Sequence, residues 1–139
     1  MRSTYKVIEK WFDCLENKRY DELLDMVDEN VHWVNCRPVP GVNDVVPWLG
    51  EFYTKADVIA SFERFGSAAT PVSFTLHDIH VDGEFALSHV HEVCEVLKNG
   101  KTFEVNDIFK MQVKDGKVVY WESFWDPSGA IKAFTETGE

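Results

Sequence analysis

The sequence predicts an α+β domain, a curved antiparallel sheet forming a cone closed by N-terminal helices. Two observations carry this expectation. Apolar residues recur at helical spacing through the first part of the chain, and from Pro71 onward strand-length runs are separated by three turn signals. Helices followed by an antiparallel meander are the signature of a sheet covered on one face. A chain of 139 residues, 45% hydrophobic and 27% charged, fits one globular domain over 1–139.

Ile8, Trp11, Phe12 and Leu15 follow i, i+3, i+4, i+7 spacing, and the pattern restarts at Tyr20, Leu23, Leu24 and Val27 after the polar break Asn17, Lys18, Arg19. An extended run over 31–36 enters a loop punctuated by Pro38, Pro40, Gly41 and Pro47. Thr54 with Asp57 three residues on resembles a capping box, and opens a third helix with Val58, Ile59, Phe62 and Phe65 on one side. Strands are expected at 72–81, 84–97, 102–114 and 117–125, divided by Asp82-Gly83, Asn99-Gly100 and Asp115-Gly116. Asp126 and Pro127 read as the cap and first turn of a short last helix with Ile131 and Phe134.

Charge narrows the partners. The formal charge of −10 repels phosphate backbones and acidic lipid, so nucleic acid and membrane surfaces are not expected partners. No apolar run approaches the ~20 residues of a membrane helix. Cys14, Cys36 and Cys94 form no CxxC pair, which fits a reducing cytoplasm. Ten Phe, five Trp and four Tyr are enough aromatics either for a rich core or for lining a cavity.

Strand 102–114 puts Phe103, Val105, Phe109, Met111 and Val113 on one face, and Asp107 interrupts them. An ionised carboxylate there loses several kcal/mol of hydration unless it is paired, hydrogen-bonded or protonated. A two-residue turn at Asn99-Gly100 pairs Lys98 with Lys101 and sets Glu92 directly opposite Asp107. Two carboxyls in contact inside an apolar cavity push at least one pKa up, which yields an acid and a base near neutral pH. The next hairpin leaves two registers open. A two-residue Asp115-Gly116 turn places Phe124 opposite Asp107; a three-residue loop from Lys114 to Gly116 places Ser123 there, which adds a hydroxyl donor and is preferred.

The segment 106–118, followed by 120–127 with Trp121, Ser123, Trp125 and Pro127, resembles the closing strands of SnoaL-like proteins. These belong with nuclear transport factor-like cones, including polyketide cyclases, ketosteroid isomerases and limonene epoxide hydrolases. The stretch 46–50 before 53–59 is similar to the loop and helix of the isomerase-related branch. The resemblance implies a SnoaL-like cone. It places Asp107 where the cyclases carry an acid/base aspartate and the isomerases an oxyanion-hole aspartic acid, and Glu92 at one epoxide hydrolase carboxylate. The chain also departs from these relatives. The isomerase base aligns near Val34 and its tyrosine near Trp11; the hydrolase arginine becomes Val90 and its second acid Ser123.

The expected function is therefore cofactor-independent acid/base chemistry by Asp107, with Glu92 sharing its proton and Ser123 or the Trp11 N–H orienting. The substrate is a small apolar organic molecule. The expected pocket wall is Trp11, Phe12, Trp33, Trp48, Phe62, Phe109, Trp121 and Trp125. The alternative is a non-catalytic homodimer binding a hydrophobic ligand or a partner, its contact being the outer sheet face with Val93, Ile108, His89 and His91. A third reading takes Gly83, His89, His91 and Glu95 as the opening of a cupin-like metal motif. Against it, the glycine spacing that closes the motif is short and no His follows His91.

Overall fold

The structure is a computed structural model and describes residues 3–136. Helices α1 (Thr4–Glu16) and α2 (Tyr20–Asp25) precede strands β1 (Val27–Asn35) and β2 (Gly50–Phe52). Helix α3 (Lys55–Ala68) leads to strands β3 (Ala69–Asp82), β4 (Phe85–Val96), β5 (Thr102–Lys114) and β6 (Lys117–Phe124), and α4 (Ser128–Thr135) follows. The six strands form one curved sheet in the order β2-β1-β6-β5-β4-β3.

The helices begin where their caps allow. Ser3 accepts a hydrogen bond from the Lys6 amide at the start of α1, and Thr54 does the same for Asp57 at α3. Asp126 accepts from the Ser128 amide and hydroxyl, so α4 starts just after the expected proline. α1 buries Val7, Ile8, Trp11, Phe12 and Cys14 against the concave side, in contact with β3, β4 and β5.

Three features differ from the expected meander. β1 runs parallel to β6, because the long 36–49 loop and α3 separate β1 from the rest of the sheet. β2 is a three-residue edge strand paired with β1, too short to register as an alternating pattern. The β4–β5 connection is a four-residue loop over 97–100 rather than a two-residue turn. Val96 donates to the Lys101 carbonyl, and Asn99 turns its side chain to the Ala133 and Glu136 carbonyls at the end of α4. Asn99 is thus committed to a tertiary contact.

That loop shifts the register by two residues, so Val90 lies opposite Asp107 and Glu92 opposite Val105. An even shift preserves the face, and Glu92 stays on the Asp107 side as a diagonal neighbour. At the last hairpin the turn is the two-residue Asp115-Gly116 form, both residues at positive φ (51° and 76°). A bulge between Gln112 and Val113 then leaves Val119 unpaired and reverses the parity of β6. Neither register expected from the sequence is the one formed: Ser123 pairs with Phe109 and Trp121 with Met111.

The interior divides into two apolar clusters. One joins α1 and α2 to Val31, Trp33, Val90, Phe109, Met111 and Trp121, with Phe62 and Phe74 packed against it. The other joins Trp48 from the 36–49 loop to Cys94, Phe103 and Val105 of the sheet and Ala130 and Phe134 of α4. No helix among the described residues is long and apolar enough to cross a membrane.

Candidate active site

Asp107 stands on β5 between Phe109 of the first cluster and Val105 of the second, at the seam where the two meet. Only 5% of it is exposed. Ser123, 3% exposed, sits with its Oγ 2.7 Å from both carboxyl oxygens. One hydroxyl proton serves one oxygen at a time, so this contact suits either protonation state: serine donates to the carboxylate and can accept from the acid. The bulge in β6 makes the contact, since without it the alternation would turn Ser123 outward.

No ion pair reaches Asp107 among the described residues. Burial is the largest influence on it and lifts its pKa to about 7. The Ser123 hydroxyl opposes this, the charge of Glu92 adds to it, and the Phe124 amide favours the ionised form. Glu92 is pushed up as well, again by burial first, while the Cys94 thiol donating to its Oε1 at 3.6 Å works the other way. Two acids with raised pKa values share one apolar seam, displaced from each other by two residues along the strand rather than face to face.

Three further residues belong here. Tyr20 of α2 has its phenol pushed up by burial and then by the neighbouring charges of Glu92 and Cys94, which sets it beside the second acid. Cys94 next to Glu92 is raised by burial and by that carboxylate. Cys36, at the end of β1, has its thiol raised by burial, with Asp107 among the charges acting on it. Its Sγ donates to the Trp125 carbonyl, and the Trp125 indole in turn donates to Asn35 Oδ1 at 3.1 Å. Asn43 donates to Cys36 Sγ and to the Arg37 carbonyl, which ties the 36–49 loop to this edge of the site.

The expected wall residues fall into both clusters. Trp33 stacks on Trp121 with ring centres 4.0 Å apart, Trp11 lies 6.0 Å from Trp33, and Phe12 stacks on Phe109 at 5.9 Å. Phe62 meets Trp33 edge-on at 5.8 Å. Trp48 packs edge-on against Phe65 and Phe134, and Trp125 borders the same second cluster. The aromatics therefore wall the Asp107 seam from two sides.

The histidines lie elsewhere. His89 pairs with Ile108 and His91 with Asn106, on the face opposite Asp107. His89 bonds Asn106 Oδ1 at 2.8 Å and stacks on His77, and His91 approaches Glu104. No group of three His, Cys, Asp or Glu among the described residues is placed to hold a metal ion, so His89, His91 and Glu95 do not gather as the cupin motif would require.

A second acidic cluster occupies the outer face of β1, β2 and β6. Glu51 receives His32 at 2.7 Å, Tyr53 at 2.9 Å and Arg37 at 3.2 Å. Arg37 also reaches Glu122, 7% exposed, which Tyr120 donates to from its other side. Glu51 is held below the usual carboxylate range, first by the His32 contact and then by Tyr53.

The likenesses to known proteins agree with this architecture. No curated protein matches the chain in sequence. An NTF2-like protein from Burkholderia thailandensis E264 superposes with a TM-score of 0.83 at 18% identity, over 98% of this chain and 100% of that one. TerC, co-crystallised with polyporic acid, superposes at 0.72 and 14% identity, covering 96% and 98% of the two chains. An LEH-like epoxide hydrolase of M. tuberculosis gives 0.68 at 14% identity, over 94% and 88%. The SnoaL-like domain model matches residues 8–121, and with the curved sheet closed by helices around a buried acid, the chain belongs to the SnoaL-like domain family of the NTF2-like fold.

Proposed function

We propose that this chain is a cofactor-independent SnoaL-like enzyme that moves a proton on a small apolar organic substrate, with Asp107 as the acid/base. The observation that carries the reading is a buried carboxyl with no cation beside it among the described residues, held by one hydroxyl in a seam walled by aromatics. A structural carboxyl this deep is ordinarily compensated by a cation or several amides. Asp107 has a serine, one amide and another acid. A pKa near 7 maximises proton-transfer efficiency at neutral pH.

The proposed step uses these groups as follows. Ionised Asp107 takes a proton from carbon next to a carbonyl, the C–H electron pair moves into the new C=C bond, and the carbonyl oxygen becomes an enolate. Ser123 Oγ follows the proton, donating to Asp107 before transfer and accepting from it afterwards. Return of the proton to a different carbon completes an isomerisation. Attack of the enolate carbon on a second carbonyl of the same molecule, with the proton passed to the new alkoxide oxygen, completes a cyclase-type ring closure. In a hydrolase-type ring opening Asp107 instead takes the proton of a water that attacks carbon while Glu92 protonates the leaving oxygen. Glu92, pushed toward its protonated form by burial, is the second proton-carrying group on the same face. Nothing in these steps calls for a metal or nucleotide, and the three free cysteines suit a reducing cytoplasm.

The test is exchange of the α-hydrogens of 1-tetralone into D2O, followed by proton NMR. Asp107→Asn is expected to remove the protein-dependent exchange, a loss of about 10²–10⁴-fold. Exchange retained by Asp107→Asn ends the catalytic reading, and a wild type without exchange but with tight ligand retention supports the binding module instead. In either reading the chain pairs with a second copy through its outer sheet face, where Leu87, Ile108 and Phe124 are exposed. Light scattering checks this, with a dimer expected that Ile108→Glu weakens.

A further inference from the structure

Three polar side-chain atoms are buried without a hydrogen-bond partner among the described residues: the indole nitrogens of Trp11 and Trp121, both in the first cluster, and the Ser88 hydroxyl on β4. A buried donor left unmade costs about 1–3 kcal/mol, so three together in one wall call for an explanation. They are neighbours. Ser88 lies opposite Phe109 on β4, Ser123 lies opposite it on β6, and Phe109 touches the Trp121 ring at 5.0 Å. Trp121 stacks on Trp33, and Trp33 meets Trp11. Along β5, Phe109 follows Asp107 by two residues, roughly 7 Å at the rise of a strand. The unpartnered groups therefore lie on the Asp107 side of the sheet, two from its strands and one from α1.

We propose that Trp11, Trp121 and Ser88 form a neutral polar pole of the site and receive an uncharged oxygen of the ligand. This deepens the enzymatic reading above and rests on it for the position of the reacting atom. The charge class follows from what surrounds the pole. An indole N–H only donates, so the ligand must present an acceptor there. Among the described residues the buried polar and charged side chains include no Lys, Arg or His, and Asp107 and Glu92 stand on the same face. An anionic group would be stripped of water with no countercharge and two acids nearby, whereas a carbonyl or ether oxygen loses little on entry and gains a donor. The pole thus selects against carboxylic acids as well as against hydrocarbons.

The probes are tetralin, 1-tetralone and 1-naphthoate, compared by fluorescence and by the indole N–H signals in nitrogen–proton correlation spectra. The ketone is expected to bind about tenfold or more tightly than the hydrocarbon, with naphthoate weakest at pH 8, and the Trp11 and Trp121 indole signals move with the ketone only. Trp121→Phe is expected to reduce the ketone-to-hydrocarbon ratio to within about threefold; the ratio cancels packing lost with the indole. Trp11→Phe gives the same reading should Trp121→Phe fail to fold. Equal binding of ketone and hydrocarbon, strongest binding of naphthoate, or indole signals unmoved by the ketone (donors serving buried water only) would each overturn the proposal. Asp107→Asn separates the two readings: if it retains the ketone preference while exchange is lost, the pole and the catalytic role both stand. A wild type with the preference but no exchange keeps the pole and loses the catalysis.

Discussion

The two faces of the sheet carry two pairs of acids, and the chain treats them in opposite ways. On the outer face Glu51 and Glu122 are surrounded by Arg37, His32, Tyr53 and Tyr120, and Glu51 is held in its ionised form. On the inner face Asp107 and Glu92 are enclosed by aromatic and aliphatic side chains, their side-chain hydrogen bonds come from one hydroxyl and one thiol, and both are pushed toward the protonated form. The same residue type is structural on one side and proton-accepting on the other because of what stands within hydrogen-bond reach. The two networks meet at one turn of chain. Cys36, at φ 47°, carries its thiol toward the inner site, and Arg37, the next residue, reaches the outer acids.

The comparison predicts opposite pH slopes, and the largest effect belongs to Asp107. Its pKa is raised above the unfolded value of 3.8 to about 7. Between those values the folded state keeps a proton that the unfolded chain releases, so this contribution is full below about pH 4 and is lost as pH rises through 7. The loss is at most ~4 kcal/mol. Asp107→Asn is expected to flatten that slope in denaturant titrations, leaving the variant close to wild type at pH 4 and more stable at pH 8. Glu51, lowered in the folded state, contributes in the opposite direction: present at neutral pH and lost as the solution is acidified through its folded pKa.

Ser123→Ala comes next. It removes the hydrogen bond that favours ionised Asp107, so the Asp107 midpoint moves up and the variant loses about 1 kcal/mol at pH 8. Arg37→Met is expected to lower the unfolding midpoint at neutral pH by leaving Glu122 without its cation, by less as salt is added, since the guanidinium is more than half exposed. The smallest effect is Glu92→Gln, which removes a nearby negative charge and shifts the Asp107 midpoint down in carboxyl NMR.

Much of this division was legible in the alternation of β5, which marks Asp107 as the one acid among apolar neighbours. The face shared by Asp107 and Glu92 was legible too, since an even register shift leaves faces alone. Their separation was not, because Asn99 spends its side chain on the end of α4 instead of forming a tight turn, and no local pattern announces that contact. Ser123 lies beside Asp107 through a β6 bulge that the sequence does not mark. The outer acids went unnoticed for a different reason: strand alternation reads outward Glu residues as solvated, and their cation comes from a loop. Tyr20 reaches the inner site from α2, an element whose packing is set by the whole sheet.

The most direct test is the carboxyl-carbon NMR titration of the intact protein, with Asp107→Asn assigning the resonance. A midpoint for Asp107 near 7 is the result this account predicts. A midpoint near the ordinary carboxylate value of about 4 would mean that water or a cation reaches Asp107, and would contradict it.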